Sequence, residues 1–200
     1  METTKTHMIT RTNIINKLIK DSQHHRYLEI GIGNNENFNN IICNHKESVD
    51  PAIGQYSAAA PTYKLSSNDF FNIQLPDTKW DIIFIDGLHE YEQVYKDLTN
   101  SIKHLAPNGH IVCHDMNPIL EEHQAVPRVS KCWNGDCWKA WVKLRTENTE
   151  FNMYVLNTDN GCGVLTRSEA PTVKLDIELS ELTYNNLEQN RIEWLNLINV

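Results

Sequence analysis

Short apolar runs alternate with longer amphipathic ones along this chain. Ile9, Ile14, Ile15, Leu18 and Ile19, with Lys17 and Lys20 on the wet side, predict a leading helix. Arg26 opens a short strand, Tyr27 to Ile30, which runs into the turn Gly31-Ile32-Gly33. Further strands are expected at 46–50, 62–65 and 82–86. Between 90 and 105, Tyr91, Val94, Tyr95, Leu98, Ile102 and Leu105 fall three and four apart with charges between them, which predicts an amphipathic helix. Pro107-Asn108-Gly109 should end it and release a fifth strand at His110.

Strands and helices alternating at this spacing imply right-handed crossovers and a parallel sheet. Beyond Asp115 the texture changes. Pro118 and Pro127 mark an irregular segment, and Asn134-Gly135-Asp136 should cap a helix carrying Trp138, Trp141, Val142 and Leu144. Residues 151–156 and 162–165 flank Asn157-Thr158-Asp159-Asn160-Gly161, a hairpin at the sheet edge, and a closing helix spans 182–198. The expected fold is α/β: a Rossmann-like, doubly wound, mostly parallel sheet with helices on both faces and a C-terminal antiparallel hairpin. One domain is expected over residues 1–200.

Composition narrows the classes. Apolar residues at 40% and charged residues at 22% are globular values, and no apolar run is long enough to cross a bilayer. Met1 to His7 lack the apolar core of a signal peptide, so a cytoplasmic protein is expected, with no membrane partner. A net charge of −8, with the acids dispersed, disfavours a phosphate-backbone surface and therefore nucleic acid. Five scattered cysteines without a secretory signal read as reduced thiols. Cys132 and Cys137 lack the second ligand pair that a zinc site needs.

The candidate chemistry lies where strands end. Trp80 to Ile85 is too short for a helix and stops on Asp86-Gly87-Leu88-His89; His110-Ile111-Val112-Cys113-His114-Asp115 ends in the same way. In open parallel sheets the carboxyl ends of the strands form the ligand crevice. The Gly31-Ile32-Gly33 turn lets backbone approach a ligand, but a dinucleotide site wants a third glycine at position 36, which is Glu. Glu29, inside the first strand, needs a donor or a cation to offset its burial. A positively charged cofactor such as S-adenosylmethionine, with its sulfonium and ammonium, therefore fits better than a pyrophosphate. Asp50, ending the second strand, stands where a carboxylate accepts from ribose hydroxyls. Ser67-Asn68-Asp69-Phe70 could meet an adenine with an amide acceptor and an aromatic face. The bland alternatives are that Asp50 starts a turn and that Ser67 or Asn68 caps a helix.

At this point the chain resembles the class I S-adenosylmethionine-dependent methyltransferases. Tyr27-Leu28-Glu29-Ile30-Gly31-Ile32-Gly33 is similar to their first motif, and Val49-Asp50 to their ribose-binding acid. Residues 84–91 and 105–115 resemble a small-molecule O-methyltransferase branch that includes macrocin-type sugar methyltransferases and cephalosporin-hydroxylase-like proteins. The resemblance implies a cofactor-binding core at 26–115, with acceptor-side and closing elements at 116–200. The implied cofactor residues are Glu29, Gly31, Gly33, Asp50, Asp69, Phe70 and Asp86.

Adjacent parallel strands lie about 5 Å apart, so Asp86 and Asp115, on neighbouring tips, can share a divalent cation. Similar metal-dependent methyltransferases use three oxygen ligands, two of them adjacent in sequence. Here the neighbours are His114 and Asp115, and His114, His89 and Asn117 compete for the third place. A histidine ligand shifts the preference from Mg²⁺ towards Mn²⁺, Fe²⁺ or Zn²⁺. The metal set is then Asp86, His114 and Asp115, with His89 as the base beside Asp86. Trp133, Trp138 and Trp141 either wall the acceptor site or, as their spacing favours, fill the core. The expected reaction is O-methylation of a small hydroxylated acceptor such as a sugar; nothing in the composition disfavours a homo-oligomer. The rivals are a nicotinamide-dependent oxidoreductase and a non-catalytic cofactor-binding subunit.

Overall fold

The computed structural model describes residues 8–52 and 61–200; Met1 to His7 lie outside them. The elements in order are α1 (Arg11–Ser22), β1 (Arg26–Ile30), α2 (Glu36–Asn40), β2 (His45–Val49), α3 (Ser67–Asn72), β3 (Trp80–Ile85), α4 (Tyr91–Lys103), β4 (Leu105–Cys113), α5 (Cys137–Glu147), β5 (Phe151–Leu156), β6 (Cys162–Arg167), α6 (Tyr184–Leu195) and β7 (Leu197–Ile198). They build one sheet in the order β2-β1-β3-β4-β6-β5-β7. β2, β1, β3 and β4 pair in parallel, and β6 runs antiparallel to both β4 and β5.

The pleat explains why helices cover both faces. Side chains along a strand alternate between faces, and here both sets are apolar. Leu28, Ile30, Ile83, Ile85, Ile111 and Cys113 join the cluster that holds Val94, Leu98, Trp138 and Trp141, and so face α3 to α6. Tyr27, Ile82, Phe84 and Val112 face the other way, onto Ile15, Ile19 and Ile41 of the α1–α2 layer. The doubly wound expectation holds.

Three details differ from the sequence expectations. The strand expected at 62–65 shrinks to a single parallel bridge between Val49 and Tyr63, because Ser48 and Thr62 spend their side chains on each other's backbone and on one another, and no longer ladder forms. Pro107-Asn108-Gly109 is not a terminator. β4 begins at Leu105, opposite Trp80, and its register shifts before Ile82 pairs with His110, so the segment bulges within the strand. The closing helix stops at Leu195, since Asn196 turns left-handed at φ 48° and donates its amide back to Ile192 and Glu193; Leu197 and Ile198 then pair with β5 as the outermost strand. The expected hairpin is present as β5–β6, but it lies one strand inside the edge.

Candidate active site

Gly31, at φ +82°, ends β1 so close to β3 that a Cβ there would stand 2.2 Å from the Asp86 carbonyl oxygen. Only glycine fits both the conformation and the space. The tip of β1 is stitched to both neighbours: Gly31 N–H donates to Val49 O of β2 at 2.9 Å, and Asp86 N–H, just past β3, donates to Ile30 O at 2.8 Å. Around these tips opens a cavity of about 740 Å³, inside the range of roughly 300–1,000 Å³ usual for small-molecule sites.

One half of the cavity is lined by acids. Glu29, 1% exposed, accepts from the Tyr27 hydroxyl at 2.5 Å and from Asn37 Nδ2 at 3.0 Å. Burial raises its pKa to about 7, against the opposing pull of those two donors. Asp50 accepts Ile32 N–H at 3.0 Å and Ala52 N–H at 2.6 Å. Both Asp50 oxygens keep a further lone pair for a ligand, and Glu29 keeps Oε1, since both of its donors use Oε2. Gly33, at φ +46°, would meet nothing within 4 Å, so its left-handed backbone, not crowding, favours glycine. Ser66, Ser67, Gln93 and Asp97 complete this half. Asp97, on the inner face of α4, accepts from Gln93 at 2.9 Å, and burial raises its pKa to about 6. Sequence reasoning missed it because an acid within an amphipathic helix reads as surface.

Asp69 and Phe70 are not brought here. Phe70 is buried against Tyr63, Phe71 and Trp80, and Asp69 bonds the Ser66 hydroxyl in the first turn of α3. Asp69, two positions after Ser67, falls on a different face of the helix, and the Phe70 ring is spent on the core cluster. Glu36 also lies outside the lining, where it accepts from Asn34, so its charge does not bar a pyrophosphate.

The other half is built on paired β3 and β4. Asp86 Oδ1 lies 3.3 Å from both His89 Nε2 and His114 Nδ1, and Asp115 Oδ2 lies 3.3 Å from His89 Nδ1 and 3.1 Å from His114 Nδ1. Asp115 is buried in a left-handed backbone, φ +63°, costing on the order of 1–3 kcal/mol; Asn134, donating to its Oδ1 at 3.1 Å, helps to hold it. Burial disfavours charge on Asp86, yet His114 and His89 outweigh it and hold the carboxyl well below the usual range. Burial likewise opposes protonation of His89, and Asp86 and Asp115 overcome it, raising that pKa. Asn117 takes no part: it bonds Asn157 and Arg191.

Arg11 was not foreseen. α1 brings its guanidinium to 2.9 Å from His114 Nε2, 3.3 Å from Asp159 and 4.0 Å from Asp86. Arg11 can only donate, so His114 Nε2 accepts and the proton sits on Nδ1, facing the two carboxylates. The surrounding acids, Asp86 first, pull the His114 pKa well above its ordinary value against burial; the 2.9 Å contact nevertheless fits only an imidazole with a free Nε2. Asp159 arrives from the β5–β6 turn, which lies at this end of the sheet because β5 runs parallel to β4.

The tryptophans divide. Trp138 and Trp141 are fully buried core, while Trp133 lines the cavity with its indole stacked on His89 at 5.1 Å. The loop that carries it is pressed onto the site: a Cβ on Gly135, at φ +60°, would stand 1.7 Å from His89 O.

The methyltransferase-domain family matches residues 18–116, from within α1 to just past Asp115. Over these residues the chain carries a methyltransferase domain. Its fold is similar to that of the O-methyltransferase TomG from Streptomyces achromogenes, involved in tomaymycin synthesis and solved with SAM, at 12% identity and TM-score 0.56 over 79% of each chain. An O-methyltransferase from Bacillus cereus solved with SAH is similar at 11% identity and TM-score 0.56, over 84% of this chain and 83% of that one. MycE of the mycinamycin pathway, solved with Mg, SAH and mycinamycin VI, is similar at 14% identity and TM-score 0.51, over 77% of this chain and 48% of that one. No curated protein matches the chain. The nicotinamide alternative is set aside on the family match.

Proposed function

We propose that this methyltransferase O-methylates a small hydroxylated acceptor such as a sugar, in the cytoplasm. The observation that carries the reading is the convergence of His89, Asp86 and Asp115 beside the Glu29–Asp50 half of one cavity. Glu29 would face the methionine end of the cofactor, Gly31 and Gly33 would let it approach the backbone, and Asp50 would accept from the ribose hydroxyls. Bound there, S-adenosylmethionine would supply an electrophilic methyl carbon and carry the sulfur away as the thioether; His89 would take the proton of the acceptor hydroxyl as its oxygen attacks. Neutral His89, donating from Nδ1 to Trp133 O at 3.1 Å, turns a bare Nε2 towards Asp86; an acceptor hydroxyl can donate into that pair.

The donor atoms of Asp86, His114 and Asp115 lie within 4.8 Å of one another, and their mixed oxygen and nitrogen set fits Mn²⁺ better than Mg²⁺. A divalent ion there would supply Lewis acidity towards the acceptor oxygen. His114 would then give its Nδ1 proton up and carry one on Nε2, which Asp159 Oδ1 at 3.5 Å can accept in place of Arg11.

Calorimetric titration with S-adenosylhomocysteine tests the reading. Binding is expected, weakened at least tenfold by Asp50→Ala; absence of binding refutes it. Transfer of an isotopically labelled methyl group to a pool of hydroxylated small molecules should follow. Cofactor binding without transfer to any of them would favour a non-catalytic subunit. Turnover that survives chelation and Asp115→Ala would refute the metal.

A further inference from the structure

Acids line most of the cavity, Asp86 and Asp115 around His89 included, but its Trp133 side also carries cations. Its cofactor half presents Glu29, Asp50 and Asp97, whereas the Trp133 side presents Arg128 and Lys131, two exposed cations in a chain of net charge −8. Arg128 is not a loose surface side chain. Its Nε donates to Ser130 O at 2.8 Å, its Nη2 donates to Lys131 O, and its Cζ stands 5.7 Å from the centre of the Trp133 indole. Those contacts orient the guanidinium and leave Nη1 without a partner among the described residues. Lys131 forms no ion pair among them either. The loop beneath is fixed too, since Trp133 Nε1 donates to Ala125 O at 2.7 Å and Asn134 N–H to His123 O at 2.8 Å.

We infer that the acceptor is an anion: it carries a carboxylate or phosphate group held by Arg128 and Lys131, one indole away from the hydroxyl that His89 deprotonates. This rests on the methyl-transfer reading above. Trp133 touches both His89 and Arg128, so one indole adjoins both the reacting hydroxyl and the anionic group. A preoriented guanidinium with a free donor edge matches oxyanions, and a second cation beside it adds attraction with little geometric demand. Glu29 and Asp50 would repel such an anion from the cofactor half, which favours its seating beside Arg128 and Lys131.

Benzoate, phenyl phosphate and benzyl alcohol share one ring and differ in charge. They should be titrated calorimetrically into the protein with and without S-adenosylhomocysteine. At least one anion is expected to bind tenfold or more tighter than benzyl alcohol, with an advantage that falls as salt rises from 20 to about 200 mM. The preferred anion identifies the group as carboxylate or phosphate. Arg128→Gln/Lys131→Gln should abolish the advantage while the unfolding midpoint stays unchanged. Equal binding of all three probes, no binding of either anion, or an advantage that survives in the double variant would overturn the inference. Failure of S-adenosylhomocysteine to bind would instead strike the methyl-transfer reading, since the anion arm is read in its absence as well.

Discussion

Gly31 and His89 show how much rests on single residues. A side chain at position 31 would be forced both into a left-handed backbone and onto the Asp86 carbonyl, so Gly31→Ala should destabilise by about 2 kcal/mol or more, read as a lowered urea midpoint. A neutral loss there would mean that the β1 and β3 tips can part cheaply. For His89, burial opposes protonation but Asp86 and Asp115 win, so the folded pKa lies above the ordinary 6.5. The free base exists only above that raised value. kcat/KM should therefore climb with pH through a midpoint above 6.5, and His89→Gln should flatten the profile and lower it by about 100-fold. An unchanged profile in the variant would remove His89 as the base. His89 was legible in the sequence because it follows the end of a buried strand; Arg11 was not, because nothing in a first-turn arginine tells which distant carboxylates it will meet.

At the scale of elements, α1 does more than cover the sheet. Thr10 and Asn13 form its capping box, its first turn carries Arg11 to Asp159 and His114, and Thr12 donates to Asn37 beneath Glu29. Thr10→Ala should cost about 1 kcal/mol in chemical denaturation and reduce turnover more than the cofactor's affinity. Unaltered turnover would mean that Arg11 holds its place without the cap. Strongly periodic elements were readable from the chain, as Val94 and Leu98 of α4 show. Those that failed were short and decided by partners: Tyr63 found a single bridge, and Leu197 and Ile198 paired only because Asn196 could turn left-handed and β5 offered a free edge.

Over the whole molecule the buried acids link folding, binding and pH. Glu29 has a folded pKa of about 7 against 4.5 unfolded, so the native state holds its proton more tightly. Its contribution is complete below pH 4.5 and is lost as pH rises towards 7, by on the order of 3 kcal/mol. Urea unfolding of Glu29→Gln should lack that decline, and a parallel course for both proteins would refute it. A cationic cofactor favours the ionised form, so affinity for S-adenosylmethionine should rise with pH through about 7, with proton release seen as buffer-dependent heats of binding. Heats independent of buffer would place the cation away from Glu29. Among the described residues, no helix is long and apolar enough to cross a membrane.

The sequence by itself determined the α/β class, the strand tips that carry chemistry, and Glu29, Gly31, Asp50, Asp86, His89, His114 and Asp115 as residues around one site. These are local properties: apolar period, run length, and an abrupt change from buried to polar at a strand end. Only the tertiary structure decided that Phe70 is core and Trp133 is wall, that Asp97, Arg11, Arg128 and Lys131 face the cavity, and that Asp159 meets Arg11 and His114 beside it. Those facts depend on which face of a helix is turned inward and on which loops a sheet order of β2-β1-β3-β4-β6-β5-β7 brings to one end. Contacts such as Arg11 with Asp159, far apart along the chain, leave no periodic trace in it.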